Sequence, residues 1–442
     1  MRARLSFRHG VHPPERKELT AGAPIRRMPF PEEIVLPLRQ HTGKPARLLA
    51  KPGDRVERGD KVAESDGFVS VPIHASAAGT VKDIGWWPHP DGSMAEAVRI
   101  TVDRFSPQIP RPRIIPRWEG LTPDQVVQAV QRAGVVGLGG AAFPTHVKLV
   151  PPEGVVVDVL IVNGAECEPY LTTDHRIMVE YPERVHFGIR VMMHTLGVER
   201  AIIGVEKNKP DAIQALRETL PDDLDVGVQG LTVKYPQGYE KMLIEALTGR
   251  EVPSGKLPMH VGVVVQNVGS IACIAEVFET GLPLIERVVT VTGPGVRRPS
   301  NLIVPVGTKL REVLEFCGGL REDATEIVFG GPMMGASQPD LDAPIIKGTT
   351  GVVVLTEKES RWRRTYPCIR CGSCLDACPV FVNPSLLGLL AQAGRFEEME
   401  EANLADCMLC GCCSYVCPSN IPLSQMFALA KAGAKRRKQQ AA

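Results

Sequence analysis

The sequence predicts a multidomain chain of mixed α/β and α+β class that closes on a small helical, cysteine-bound module. Three observations carry this. Two cysteine runs of identical spacing, Cys368 to Cys378 and Cys407 to Cys417, mark the module. Between residues 199 and 265, AIIGVEKN, DAIQALRETL and LTVKYP alternate strand-like and helix-like segments, the order of an α/β unit. From Ile34, short β-type runs are broken by turns at Gly53-Asp54 and Gly59-Asp60, as in a compact β unit. A chain of 442 residues suggests about three domains.

Composition narrows the function classes. Fifty-one basic residues stand against fifty acidic ones, which leaves no field for nucleic acid. Of twelve cysteines, eight lie in the two runs and Cys412 sits beside one; Cys167, Cys273 and Cys317 are scattered, so a reducing compartment is expected. The start, MRARLSFRHGVHPP, has no apolar core of a signal peptide, and VVVDVLIV is short and holds Asp158, so no transmembrane segment is expected.

Taken in order, residues 1 to about 30 are Pro- and Arg-rich and read as extended, too polar to form a core. The β unit follows, with a hairpin tip at Glu64-Ser65-Asp66-Gly67-Phe68; Trp86, Trp87 and the prolines between 107 and 116 close it and form a linker. Thr122 reads as a helix N-cap with Pro123 first in the helix and Gln125 completing a capping box; Gly134 ends it. Next comes Gly137-Leu138-Gly139-Gly140-Ala141-Ala142. It fits G-x-G-x-x-A, but a helix precedes it where a dinucleotide-binding unit needs a strand. The residues do describe a loop whose bare backbone can lie against a flat ring or a phosphate, with Lys148 to answer negative charge and Phe143 to stack.

Each cysteine run is C-x2-C-x2-C-x3-C-P: Cys368, Cys371, Cys374, Cys378, Pro379, then Cys407, Cys410, Cys413, Cys417, Pro418. That pattern serves two [4Fe–4S] clusters, the fourth cysteine of each run crossing to the other cluster. Cys368, Cys371, Cys374 and Cys417 are expected on one cluster, and Cys407, Cys410, Cys413 and Cys378 on the other. Paired zinc knuckles or a disulfide framework do not explain a fourth cysteine followed by proline twice. Cys412 does not fit the run and reads as a packed small hydrophobe. Residues Leu386 to Ala405 have helical periodicity and space the runs, and KAGAKRRK (431–438) makes a basic, helical or frayed tail.

Resemblances extend this reading. The β unit resembles lipoyl- and biotinyl-type barrel-sandwich hybrids, without a lysine at the tip, which implies docking and no carrier role. GLGGAAFPTHVK is similar to the GRGGAGFPTGLKW segment of the flavin-binding subunit of respiratory complex I, and VNGAECEPY to its NADEGEPG. Tyr235-Pro-Gln-Gly-Tyr-Glu240 resembles Y-I-C-G-E-E, and Gln266-Asn267-Val268-Gly269-Ser270 resembles N-N-V-E-T. By that resemblance Gly137, Gly139, Gly140 and Lys148 line FMN, with Asn163 and Glu166 near its polar edges, Glu240 implicated in holding it, and Asn267 and Ser270 at the phosphate end. Phe143 and Glu168 meet the nicotinamide nucleotide. Two departures, Leu138 for arginine and His146 for glycine, bear on nucleotide affinity and redox tuning. Without the resemblance, Glu166 and Glu168 read as a solvated loop, Asn267 as a satisfied core amide, and His146, His175 and His194 as ordinary polar residues. Carboxylates flanking Cys167 should raise its pKa and leave it a bystander thiol.

The stretch from Arg287 to Gly319 resembles the soluble-ligand-binding β-grasp (SLBB) module, and GGPMMGA (330–336) reads as a packing turn. The whole order is identified as that of the C subunits of Rnf complexes. It implies a barrel-sandwich hybrid with linker (1–115), a complex I-like FMN/NADH-binding α/β domain (120–280), an SLBB β-grasp module (285–355), a helical twin [4Fe–4S] ferredoxin-like domain (360–425) and a basic tail (426–442). The resemblance implies a peripheral subunit on the cytoplasmic side of the cell (inner) membrane. It would exchange hydride with NAD(H) at FMN and pass single electrons on, with other Rnf subunits as partners and ferredoxin or flavodoxin reached through them. The alternatives are a soluble cobalamin reductase built from the same modules and a non-catalytic iron–sulfur relay.

Overall fold

Four strands, three of them near-continuous apolar runs, form a parallel sheet in the middle of the chain. Strands this apolar are buried on both faces, so helices must cover both. Pro182–Leu196 and Val268–Thr280 pack together over one face, and Glu240–Thr248 covers the other. The order is Val226–Leu231, Ala201–Glu206, Val159–Gly164, Val263–Asn267, so the first strand in sequence lies between the second and the fourth. That reversal is a topological switch point, where an open α/β sheet leaves a crevice beyond the carboxyl ends of its strands. Asn163 and Asn267 are paired at the ends of the two strands that flank it. The computed structural model describes residues 5–112, 118–360 and 363–441, the last four by backbone alone; residues 113–116 of the expected linker lie outside it. The helix at Pro123–Arg132 starts as expected: the Thr122 N–H donates to Gln125 Oε1 at 2.9 Å and the Gln125 N–H to Thr122 Oγ1 at 3.4 Å.

The β unit forms two small antiparallel sheets around Ile34, Leu36, Val62, Ile73, Val98 and Ile100. Its hairpin tip docks on the central domain, where Phe68 O lies 2.8 Å from His146 Nε2 and the two rings meet edge to face. Residues 5–27 depart from the extended, coreless reading. Phe7, Val11, Lys17 and Thr20 are buried, and Ile25–Arg27 leaves the sandwich to pair in parallel with Ser300–Pro305. The segment lacks periodicity because it packs on surfaces of other domains, whose backbone groups satisfy its polar atoms.

The β-grasp unit is a six-stranded mixed sheet covered by Leu310–Phe316. Trp87 joins it to the sandwich: Arg99 and Lys309 both approach its ring, and its indole N–H donates to Asp342 O at 3.0 Å. Trp86 stays exposed.

In the cysteine module the expected spacer helix breaks at Gly394, where φ is +69°, into Pro384–Gln392 and Phe396–Glu401. The two fold back around Leu387, Leu390, Met399 and Leu404, and Phe427 and Ala430 of the helix Leu423–Ala441 complete that core. The expected domain boundary at 425 therefore falls inside a helix whose first turns belong to the module. The two cysteine runs repeat one backbone. Positive φ recurs at Arg370 and Leu409, at Gly372 and Gly411, and at Phe381 and Asn420. Only at the glycines is this conformation free of steric cost.

Candidate functional site

The glycine loop lies across the start of Val268–Thr280. Leu138 N–H donates to the fully buried Ser270 Oγ at 2.8 Å, so that hydroxyl anchors the loop from behind. Arg287, also buried, donates to Leu138 O at 2.9 Å. Asn267 caps the helix, accepting from the Gly269 and Ser270 N–H groups at 2.9 and 3.3 Å, and its Nδ2 donates to Asp174 Oδ2 at 2.6 Å. Such a cap contributes about 1 kcal/mol to a helix, which makes Asn267 more than a satisfied core amide. Lys148 donates to Glu240 Oε1 at 2.7 Å and to Val265 O at 3.2 Å. Asn163 Nδ2 donates to Gly238 O at 2.7 Å. These contacts gather Asn163, Lys148, Glu240 and Asn267 at the carboxyl ends of the two switch-point strands. Phe143 is half-buried at the far side of the loop, its carbonyl accepting from Gly137 N–H at 2.8 Å. At Gly140, φ is +107° and an added Cβ would meet only a Thr350 methyl at 4.0 Å.

The loop after Asn163 is no solvated turn. Glu166 accepts from the N–H groups of Asp174 (2.7 Å) and His175 (3.3 Å), so its carboxylate is engaged at the start of Thr173–Glu180. Glu168 accepts from Met333 N–H at 3.1 Å through Oε2. Its Oε1 is buried and, among the described residues, has no hydrogen-bond partner. Burial pushes the Glu168 carboxyl up to about 7, against the opposing pull of the Met333 N–H and Lys17. Burial is also the main reason the Cys167 thiol is raised, with Glu206 next and Glu168 a lesser contributor. The thiol accepts from Gly238 N–H at 3.3 Å, as a packed bystander does. His146, His175 and His194 are held by Phe68 O, Asp211 and Leu121 O.

Sequence reasoning missed Asp174, raised by burial and by Glu166 beside it, and Arg287, which burial lowers to about 10. Asp174 was visible only as part of T-T-D-H (172–175), six residues past Glu168 in a loop that already carries two carboxylates. Polar atoms of Gln237, Gln266 and Glu168 are buried without partners among the described residues, and all three lie in segments close to the switch point. With the open side of Gly140, they fit a flat, polar heterocycle of the flavin kind.

The cysteines stand as two sets of four. Cys368, Cys371, Cys374 and Cys417 line one pocket, with Gly372, Gly388 and Leu389. Around Cys413, whose thiol is pushed up to about 12, burial is seconded by Cys410, Cys407 and Cys378. Among the described residues no three cysteine, histidine or acidic side chains close on a single ion. The two sets differ in depth. Cys368 and Cys371 are exposed, whereas Cys378, Cys410 and Cys413 are buried. The deep set abuts the central domain: Tyr235 Oη donates to Cys410 O at 2.8 Å, and Tyr235, Cys167, Met333, Met408 and Cys412 share one apolar cluster. The GGPMMGA turn thus touches both Glu168 and the deep cysteine loop.

Comparisons with known proteins agree with this arrangement. The sequence matches, in order, the RnfC barrel sandwich hybrid domain (5–104), the Nuo51 FMN-binding domain (130–276), the SLBB domain (288–337) and the 4Fe-4S dicluster domain (364–421). It is 47% identical to the C subunit of the proton-translocating ferredoxin:NAD(+) oxidoreductase complex of Clostridium ljungdahlii, over 91% of this chain and 88% of the relative. It is 42% identical to the Na(+)-translocating counterpart of Acetobacterium woodii, over 91% and 90%. With the C subunit of the ion-translocating oxidoreductase complex of Rhodobacter capsulatus it shares 40%, over 90% and 78%. Among solved structures, the H2-reduced NAD+-reducing [NiFe]-hydrogenase aligns at 20% identity and a TM-score of 0.48, over 69% of this chain and 61% of that one.

Proposed function

The chain belongs to the family of C subunits of the ion-translocating ferredoxin:NAD(+) oxidoreductase (Rnf) complexes, and from that premise we propose that it exchanges hydride between NAD(H) and FMN at the switch point and passes electrons singly through two [4Fe–4S] clusters to partner subunits. The observation that carries this is the contact of the deep cysteine set, through Tyr235 and Cys410, with the domain that holds Asn163, Lys148, Glu240 and Asn267. FMN supplies the conversion between a hydride pair and single electrons that nicotinamide and iron–sulfur groups cannot make directly. Lys148 and the start of Val268–Thr280 offer positive potential to a phosphate, Asn163 and Glu240 flank the ring edge, and Phe143 and Glu168 receive the nucleotide. Electrons leave by the outer set, Cys368, Cys371, Cys374 and Cys417, where Tyr366 and Ile369 are exposed beside it. Among the described residues no helix is long and apolar enough to cross a membrane. The proposed location is peripheral, on the cytoplasmic face of the membrane, with ferredoxin or flavodoxin reached through partner subunits.

The test is NADH:ferricyanide reductase activity of the chain reconstituted with FMN and clusters. Bound flavin and turnover are expected; a flavin-free, inactive product after full reconstitution leaves only an iron–sulfur relay. Within that assay Glu168 makes a sharper prediction. With its carboxyl at about 7, Glu168 is neutral below that pH and a charged acceptor for nucleotide hydroxyls above it. KM for NADH should fall as pH rises through about 7. Glu168→Gln should raise KM at pH 8 by roughly tenfold, the scale of one hydrogen bond to a charged group, flatten the profile and leave bound FMN unchanged. Loss of FMN with unchanged KM would put Glu168 on the wrong side of the site.

A further inference from the structure

We infer that Lys17 is a positioning residue for the flavin–nicotinamide site: its ammonium, carried in on the N-terminal segment, sets the conformation of the 164–171 loop and so aims Glu168. The inference rests on the function proposed above and adds to it a residue about 150 positions away in sequence.

Lys17 Nζ is buried and donates to Glu166 O and Glu168 O, both at 2.9 Å, and to Leu171 O, with Glu166 Oε2 at 3.8 Å. An ammonium has three N–H donors, and all three are spent on this one loop. Three carbonyls converge there because the loop is bent. Glu166 and Tyr170 sit at φ of +48° and +72°, left-handed conformations that non-glycine residues hold only when their surroundings impose them. The same segment supplies a second tie, Tyr170 N–H to Glu15 O at 2.8 Å. Around the ammonium stand Glu166, Glu206 and Lys209; burial lowers the Lys17 pKa and Glu166 opposes that. Without the cation, three inward carbonyls would lose their donor and the Glu166 carboxylate its counter-charge, and the bend would relax.

The segment also fixes the loop relative to the cysteine module. Val11 and Tyr235 exchange N–H···O bonds at 2.9 Å, and Gly10 N–H donates to Ala377 O at 3.2 Å. A Cβ at Gly10 would lie 2.6 Å from Tyr235 O, so the approach needs glycine. FRHGVHPPERK is thus a strap that holds the nucleotide loop and the deep cysteine run in register, and Lys17 is its end.

The experiment compares the full reconstituted chain with Lys17→Met, which keeps the stem and removes the charge. At saturating FMN, KM for NADH should rise roughly tenfold, as for a lost charge-assisted hydrogen bond, with a smaller change in kcat. Hydrogen exchange should quicken in residues 164–171 and the first turn of Thr173–Glu180, and the midpoint potential of the bound flavin should shift. A clip serving stability alone would lower Tm but leave KM, potential and loop protection of the flavin-saturated protein at wild-type values, and that result overturns the inference. Should Lys17→Met not fold, Lys17→Arg is read the same way. Arginine keeps the charge, but its planar fork cannot serve three converging carbonyls, so the flavin potential should hold while KM rises. A wild-type KM in Lys17→Arg, or failure of both variants to fold, overturns the positioning role. If the wild type itself takes up no FMN and reduces no ferricyanide, the proposed site fails; if it is active and indifferent to Lys17, only this inference does.

Discussion

Replacing Cys378 together with Cys407 is expected to abolish one of the two cluster signals seen by paramagnetic resonance after reduction and to leave the other intact. Replacing Cys378 together with Cys368 is expected to damage both. Cys378 belongs to the first run in sequence but stands with Cys407 and Cys410 in space, which raise its thiol after burial has done so. Cys417, from the second run, lines the pocket of Cys368, Cys371 and Cys374. The repeated backbone of the two runs explains how this comes about. In the crossed arrangement each tight loop turns three thiols inward, and each fourth cysteine, followed by proline, leaves toward the partner run. Uncrossed ligation predicts the reverse pattern, so the two double variants separate the arrangements. Both belong in a Cys412→Ser background. Cys412 is buried in the apolar cluster with Tyr235 and Met408, as a packed small hydrophobe should be, but it lies close enough to Cys413 to replace a lost ligand if the loop shifts. Retained FMN and NADH:ferricyanide activity would show that the central domain survives. Loss of both signals from the 378/407 variant in otherwise folded protein would refute the crossing.

The parts of this molecule that were legible in sequence are those whose pattern is local. Cysteine spacing, the Thr122 capping box and the apolar strand runs each involve residues within one or two turns of each other, so their chemistry survives being read as a string. The glycine loop was legible as chemistry but not as position: G-x-G-x-x-A follows a helix, and its place across the start of Val268–Thr280, next to where Val159–Gly164 and Val263–Asn267 part, depends on contacts far apart in sequence. Glu166 shows a further limit. Expected near the polar edges of the flavin, it also gives its carboxylate to the Asp174 and His175 N–H groups, contacts that depend on a φ of +48° that a string does not display. The N-terminal segment was least legible. Its polar residues looked too hydrophilic to be buried, yet Lys17 is buried because its acceptors are backbone carbonyls of another domain. Long-range contacts of that kind leave no periodicity.

Gly140→Ala is expected to cost most of the bound flavin, and Gly139→Ala to cost mainly stability. The two glycines are adjacent but differ in what a methyl group would meet. At Gly140 the backbone sits at φ +107°, and the added Cβ faces open space with a Thr350 methyl at 4.0 Å. Holding a non-glycine residue in such a region costs about 1–3 kcal/mol. Because the loop is exposed at this point, the free protein can relax and shed the strain. The cost then falls on binding, which needs the strained form, and amounts to roughly ten- to hundredfold in FMN affinity. At Gly139 the Cβ would press the Asn267 side chain at 3.3 Å. Asn267 cannot yield without loosening the cap of Val268–Thr280 and its bond to Asp174. A large part of that cost appears in the folded state, as a Tm lowered by several degrees for a loss of about 1 kcal/mol, with a smaller fall in flavin content. Flavin absorbance per chain after reconstitution, a titrated FMN Kd and a melting curve for each variant make the comparison. An unchanged FMN Kd in Gly140→Ala would mean that the glycine loop is architecture and that the flavin lies elsewhere on the sheet.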